Sequence, residues 1–112
     1  MAMRRLSEWR HVCISPSASI LDAARILQET STRIVLVIDK NSKLLGIVTD
    51  GDIRRGLLAG VSAEESCTTV LNTSPRTIGP EVRVEELLRL NSDGDANAIP
   101  IVSNDRTVHG IW

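Results

Sequence analysis

The apolar positions of this chain change their spacing at short intervals, and each change marks an element. Residues 12–14 are a short apolar run that predicts a strand, and Ser15-Pro16-Ser17-Ala18 is turn chemistry. Ser19 then has the character of a helix N-cap, with Asp22 three residues on as in a capping box. Ile20, Ala23, Ala24 and Leu27 follow at helical spacing, which predicts one apolar face over about 20–29. Residues 34–38 are five apolar positions rich in β-branched side chains, the pattern of a buried strand. A polar turn, Asp39-Lys40-Asn41-Ser42-Lys43, leads into a second apolar run over 44–49, and so short a connection predicts antiparallel pairing. A helix is expected from about Gly51 to Ala59, closing at Gly60.

The same order then comes again. Residues 13–48 fall without a gap on residues 77–112, so that Ile14 meets Ile78, Pro16 meets Pro80, Gly46 meets Gly110 and Ile47 meets Ile111. The apolar pattern is shared more widely, from Ile20 with Val84 to Val37 with Ile101 and Leu44 with Val108. A fixed period with matched apolar positions means one supersecondary unit used twice. The expected second set is a strand at 76–78, a helix at 84–90 with Val84, Leu87 and Leu88 inward, and strands at 98–102 and 108–112. Asn91-Ser92-Asp93-Gly94-Asp95 predicts a loop. The division is a lead-in at 1–10, a first repeat at 11–60, a linker at 61–74 with a helical turn or two, and a second repeat at 75–112. The second repeat lacks the helix that closes the first, so the chain is expected to come from a longer protein. The fold class is mixed α/β (α+β), with two β-α-β-β-α units packed about a pseudo-twofold axis and the second truncated.

Composition narrows the partners. An apolar share of 42% over 112 residues suits one modest aliphatic core, with two tryptophans as its only aromatics. A net charge of −1 gives no electrostatic case for nucleic acid or a membrane surface. No run approaches the length of a membrane span or a signal peptide. Cys13 and Cys67 make no disulfide framework, and a reduced, cytoplasmic setting is expected. His11 and His109 have no neighbour at metal-ligand spacing, and the 93–97 loop lacks the glycine and closing glutamate of a calcium loop. Asp50 and Asp52, two apart in a tight turn, do not flank a scissile bond, and no nucleophile elbow or phosphate loop is present. The chain is therefore not expected to be an enzyme.

The repeat order, Ile14-Ser15-Pro16 before the first helix, Ala98-Ile99-Pro100-Ile101-Val102, and above all Gly46-Ile47-Val48-Thr49-Asp50-Gly51-Asp52 resemble a tandem cystathionine-β-synthase (CBS) domain pair, or Bateman module, over about residues 11–112. The resemblance implies two clefts that in many members take adenosine-containing ligands such as AMP, ADP, ATP or S-adenosylmethionine. Thr49-Asp50-Gly51-Asp52-Ile53-Arg54-Arg55 is similar to CBS pairs attached to sugar-phosphate nucleotidyltransferases and to arabinose-5-phosphate isomerases. A methionine-led start and Glu8-Trp9-Arg10 favour the first, with an attached catalytic domain in cis. The resemblance also implies association of two such pairs through their helices. A dimerisation or docking platform without a ligand is the alternative.

The Thr-x-x-Asp turn has a chemical rationale. Asp52 can accept hydrogen bonds from the two hydroxyls of a ribose, and Thr49 can donate to a phosphate oxygen. Gly51 lets the backbone approach a ligand, and the helix beginning at about Gly51 offers free N–H groups to phosphate. The resemblance places the facing wall at 74–78 and 96–98. Main-chain groups near Pro75 and Arg76 would read an adenine edge, Ile78 would be an apolar wall, and Asn97 and Ala98 would stand at the start of the second strand. Arg33 matches a position that can hold a basic phosphate contact, and its counterpart Asn97 is neutral. The same residues also have plainer roles: the Thr-x-x-Asp turn as an ordinary helix cap, with Asp50 or Asp52 capping and binding nothing, and Arg33, Arg54 and Arg55 as solvated surface charges, the last two with an interface or anion contact as the alternative.

Overall fold

A computed structural model describes residues 9–30, 32–83, 85, 86, 89 and 98–112. The first repeat contains strand β1 (Cys13–Ile14), helix α1 (Ile20–Glu29), strands β2 (Val35–Ile38) and β3 (Leu44–Val48), and helix α2 (Asp50–Leu58). The second contributes β4 (Pro100–Val102) and β5 (Val108–Ile111). The elements predicted for the first repeat, and the last two strands of the second, form with small shifts. The first strand is shorter because a 3-10 turn, Trp9–Val12, occupies the residues before it. The helix after β3 starts at Asp50 rather than Gly51. The linker carries a 3-10 turn, Cys67–Val70, capped by Ser66. The strand expected at 76–78 is reduced to one parallel bridge from Ile78 to Ile101. Of the helix expected at 84–90, Glu85, Glu86 and Arg89 are helical, and its inner face of Val84, Leu87 and Leu88 lies outside the described residues, as does the loop at 91–95.

The repeat is reproduced residue by residue in the hydrogen-bond register. β1 pairs parallel with β2, Ile14 facing Val37, and Ile78 faces Ile101 in the same way. β2 pairs antiparallel with β3 through Leu36–Ile47, Val37–Gly46 and Ile38–Leu44, with an irregularity after Val37. β4 and β5 pair through Pro100–Ile111, Ile101–Gly110 and Val102–Val108, with the irregularity after Ile101. Even the turns agree: Ser42 at φ 61° and Arg106 at φ 72° hold the left-handed position of their hairpins.

These two hairpins join the repeats. The Leu44 N–H donates to the Arg106 carbonyl at 2.8 Å, and the Val108 N–H donates to the Ser42 carbonyl at 3.0 Å. Each bond is the other's image under the repeat, and Lys43 pairs with Thr107 between them. That is the signature of a pseudo-twofold axis through the hairpin tips. The Lys43 ammonium also pairs with the Asp105 carboxylate at 3.1 Å, and the Arg106 side chain donates to the Leu44 carbonyl. Beneath the tips, Trp9, Val12, Ile34, Leu36, Leu44, Val108 and Ile111 form a core shared by both repeats. A second core, between the first sheet, α1, α2 and the linker, holds Ile20, Ala23, Leu27, Val35, Val37, Val48, Ile53 and Cys67. The second repeat's own core is smaller, with Ile78, Ile99 and Ile101 packed against Val82 and Trp112.

The linker is seated, not loose. Ile47 and Asn72 exchange both backbone hydrogen bonds, at 3.0 and 2.9 Å, so the linker runs as an extra rung beside β3. Gly46 makes this approach feasible, since a Cβ there would collide with the Asn72 carbonyl oxygen. Upstream, linker residues 63–67 lie across the start of α1.

Candidate functional site

The start of α2 follows directly from β3. Val48 is fully buried and fixes the end of the strand, and Thr49 turns out of it with φ −118° and ψ 169°, the geometry of an N-cap. The Thr49 hydroxyl oxygen accepts from the Asp52 N–H at 3.2 Å, and the Asp52 carboxylate accepts from the Thr49 N–H at 2.9 Å and from its hydroxyl at 3.0 Å. This is a closed capping box. The second carboxylate oxygen accepts from the Arg55 guanidinium at 2.6 Å. Asp52 is only 14% exposed, whereas Arg55 is 73% exposed and lies over it. Asp50 stands exposed at the first helical position. Among the described residues the N–H groups of Asp50 and Gly51 have no acceptor, so two donors at the positive end of the helix remain open.

The plainer role foreseen for Thr49 and Asp52 is thus realised, and it leaves capacity. A carboxylate can accept about four hydrogen bonds, and the Asp52 oxygen facing Arg55 has that one partner. Sequence reasoning treated Arg55 as surface charge and missed its contact with Asp52. The i,i+3 spacing of Asp52 and Arg55 on a helix was the available signal.

The other candidates are spread over both repeats. Arg33 is exposed with a left-handed backbone, φ 64°, just before β2. Pro75 is half-buried and Arg76 exposed, three and four residues beyond the rung that Asn72 makes with β3. Ile78 is 5% exposed and packs into the second repeat's core. Ala98 is half-buried against the shared core, and Asn97 lies outside the described residues. The structure therefore brings Thr49, Asp50, Gly51 and Asp52 together. Among the described residues no hydrogen bond joins Asp52 to the second repeat.

Elsewhere the chemistry is quiet. A cavity of about 630 Å³ opens between residues 13–17 and 38–41 and contains none of the candidates. Burial pushes the Cys13 thiol up to about 12 and raises that of Cys67, so neither is a ready nucleophile. Among the described residues no cluster of three or more His, Cys, Asp or Glu side chains could hold a metal, and no helix is long and apolar enough to cross a membrane.

Comparison with known proteins places this geometry. Residues 3–59 match the model of the CBS domain. The arabinose 5-phosphate isomerase KdsD of Pseudomonas aeruginosa is 32% identical over 71 residues, which are 62% of this chain and 22% of the isomerase. The chain spans 19–30% of the length of such curated relatives. Among solved structures, CBSX2 in complex with AMP superposes with a TM-score of 0.74 at 24% identity, covering 92% of this chain and 81% of that one. The CBS domain pair of protein MJ0100, in complex with 5-methylthioadenosine and S-adenosyl-L-methionine, gives 0.72 at 24% identity, covering 90% and 82%. At these identities the structural likeness establishes the fold.

Proposed function

This chain belongs to the CBS domain family, and from that membership we propose that it is a regulatory module that binds an adenosine-containing ligand at the start of α2. The observation that carries the reading is the half-buried Asp52 carboxylate beside two open helix N–H groups. The carboxylate suits the two hydroxyls of a ribose, and the amides with Thr49 suit a phosphate oxygen. In this reading the adenine is met by main-chain groups near Pro75 and Arg76 and by the residues at the start of the second strand, Asn97 and Ala98, with Arg33 as the basic contact. AMP, ADP, ATP and S-adenosylmethionine are the ligands to try. The AMP complex of CBSX2 and the S-adenosylmethionine complex of MJ0100, on the same fold, support that choice.

The mechanism is differential binding. A ligand that touches both repeats favours one mutual orientation, and it shifts an attached domain only by its difference in affinity for the two states. That domain handles a sugar phosphate in cytoplasmic chemistry. The lead-in Glu8-Trp9-Arg10 supports a nucleotidyltransferase, and the isomerase relative supports the alternative. Titration calorimetry with the four ligands tests the site. Asp52→Ala is expected to cost about 1.5–3 kcal/mol of binding, roughly ten- to a hundred-fold in affinity. Equal affinity in both proteins removes Asp52 from the site.

A second reading has its own observation. Leu21 on α1 and Leu57 and Leu58 on α2 are 44%, 47% and 81% exposed, apolar side chains on the two helices that pairing with a second copy would cover. A dimer in sedimentation that ignores every nucleotide favours a platform over a sensor.

A further inference from the structure

We infer that Arg55 is the specificity residue of the α2 site, holding Asp52 in the structure described above and turning to the phosphate when a nucleotide binds. This rests on the assignment of Asp52 as ribose acceptor.

Charge is the first ground. The start of α2 already carries two carboxylates, Asp50 and Asp52. A ribose on Asp52 brings its phosphate, with further negative charge, into the same turn, where the carboxylates oppose it. The open N–H groups of Asp50 and Gly51 offer donors but only fractional charge. A full cation at the turn itself offsets that repulsion more than the amides do; Arg33 stands before β2, whereas Arg55 is in direct contact with this turn. One guanidinium nitrogen lies 2.6 Å from Asp52, and the other sits 3.3 Å from where a Cβ on Gly51 would stand. The guanidinium thus lies beside the first turn of the helix. Arg54, its neighbour, makes no ion pair among the described residues.

The second ground is how readily the contact yields. Arg55 is 73% exposed, and an exposed i,i+3 ion pair is weak, so a ribose displaces it at a cost below about ten-fold in affinity. The released guanidinium keeps its planar fork, which matches two phosphate oxygens. The plainer account makes Arg55 a helix-surface ion pair only. It expects Arg55 to treat phosphorylated and unphosphorylated ligands alike.

Calorimetric titration of adenosine and of AMP into wild type, Arg55→Gln and Asp52→Asn separates the two. Arg55→Gln is expected to weaken AMP by about ten-fold while leaving adenosine unchanged or modestly tighter, since the competitor for Asp52 is gone. A common shift for both ligands, or AMP binding unaffected, overturns the role of Arg55. The ribose assignment survives that result if Asp52→Asn loses both ligands. Neither ligand binding to wild type, or Asp52→Asn binding both as wild type does, overturns the ribose assignment and the Arg55 role with it. A cooperative unfolding transition well above the titration temperature shows that each variant is folded.

Discussion

At the start of α1, Ser19 and Asp22 exchange side-chain and backbone hydrogen bonds, and at the start of α2, Thr49 and Asp52 do the same. Each aspartate also has an arginine three residues on, at 3.7 Å for Arg25 and 2.6 Å for Arg55. The difference is in what surrounds the caps. At α1 the linker lies over the helix end, and the Ile20 and Leu21 N–H groups donate to the Glu65 and Ala63 carbonyls at 2.9 and 3.0 Å. At α2 the equivalent donors, on Asp50 and Gly51, have no acceptor among the described residues. A capping box alone is therefore no mark of a ligand. The distinguishing property is whether the rest of the fold consumes the helix's spare donors.

The largest perturbation of this contrast acts on the linker. Gly46→Ala drives a methyl group into the Asn72 carbonyl and forces the linker off β3. Overpacking of this kind costs about 1–3 kcal/mol, to be read from urea unfolding. The Ile20 and Leu21 amides should also exchange faster with solvent, while those of Asp50 and Gly51 stay fast throughout. Unchanged protection of Ile20 and Leu21 in a destabilised variant would mean that the cover on α1 does not depend on the seat of the linker.

Removing each cap comes next in size. Ser19→Ala and Thr49→Ala should each lose about 0.5–2 kcal/mol of stability. Their effects on ligand should diverge: Thr49→Ala weakens AMP and Ser19→Ala leaves it alone. Equal losses of AMP affinity would mean that the two helix ends are not functionally distinct and that AMP reports only global stability.

Much of this is legible in the sequence. The 64-residue shift (residue 13 onto residue 77) carried the register of the second sheet, because alternating apolar positions fix which residues face each other. Ser19 and Asp22 announced their cap by residue type and spacing. The two 3-10 turns were not legible in detail, since three or four residues are too few to show a period. The strand expected at 76–78 shrinks to one rung because only Ile78 of its three residues makes a strand bridge, to Ile101, and a turn from Gly79 to Val82 follows at once. The open amides of α2 were invisible for a different reason. They are defined by where the linker does not go, and that path depends on Gly46, Asn72 and the burial of Cys67 acting together.

The smallest effect concerns acid. The Asp22 carboxyl is held below the usual carboxylate range, first by the hydrogen bond from the Ser19 N–H, then by the Ser19 side chain, and only last by the Arg25 charge. A depressed folded-state value means stabilisation that is present above the ordinary aspartate value, about 3.9, and is lost as pH falls through the lower folded value. Asp22→Asn should therefore be less sensitive than wild type to acid below about pH 4, with a shallower loss of unfolding free energy. Because hydrogen bonds outrank the charge, this difference should persist when ionic strength is raised, whereas an Arg25-dominated effect would be screened. An acid limb identical in the two proteins would show that Asp22 is equally free in the folded and unfolded chain. A difference abolished by salt would transfer the effect from the cap to the ion pair, and the resemblance between the two helix starts would then be one of charge rather than of hydrogen bonding.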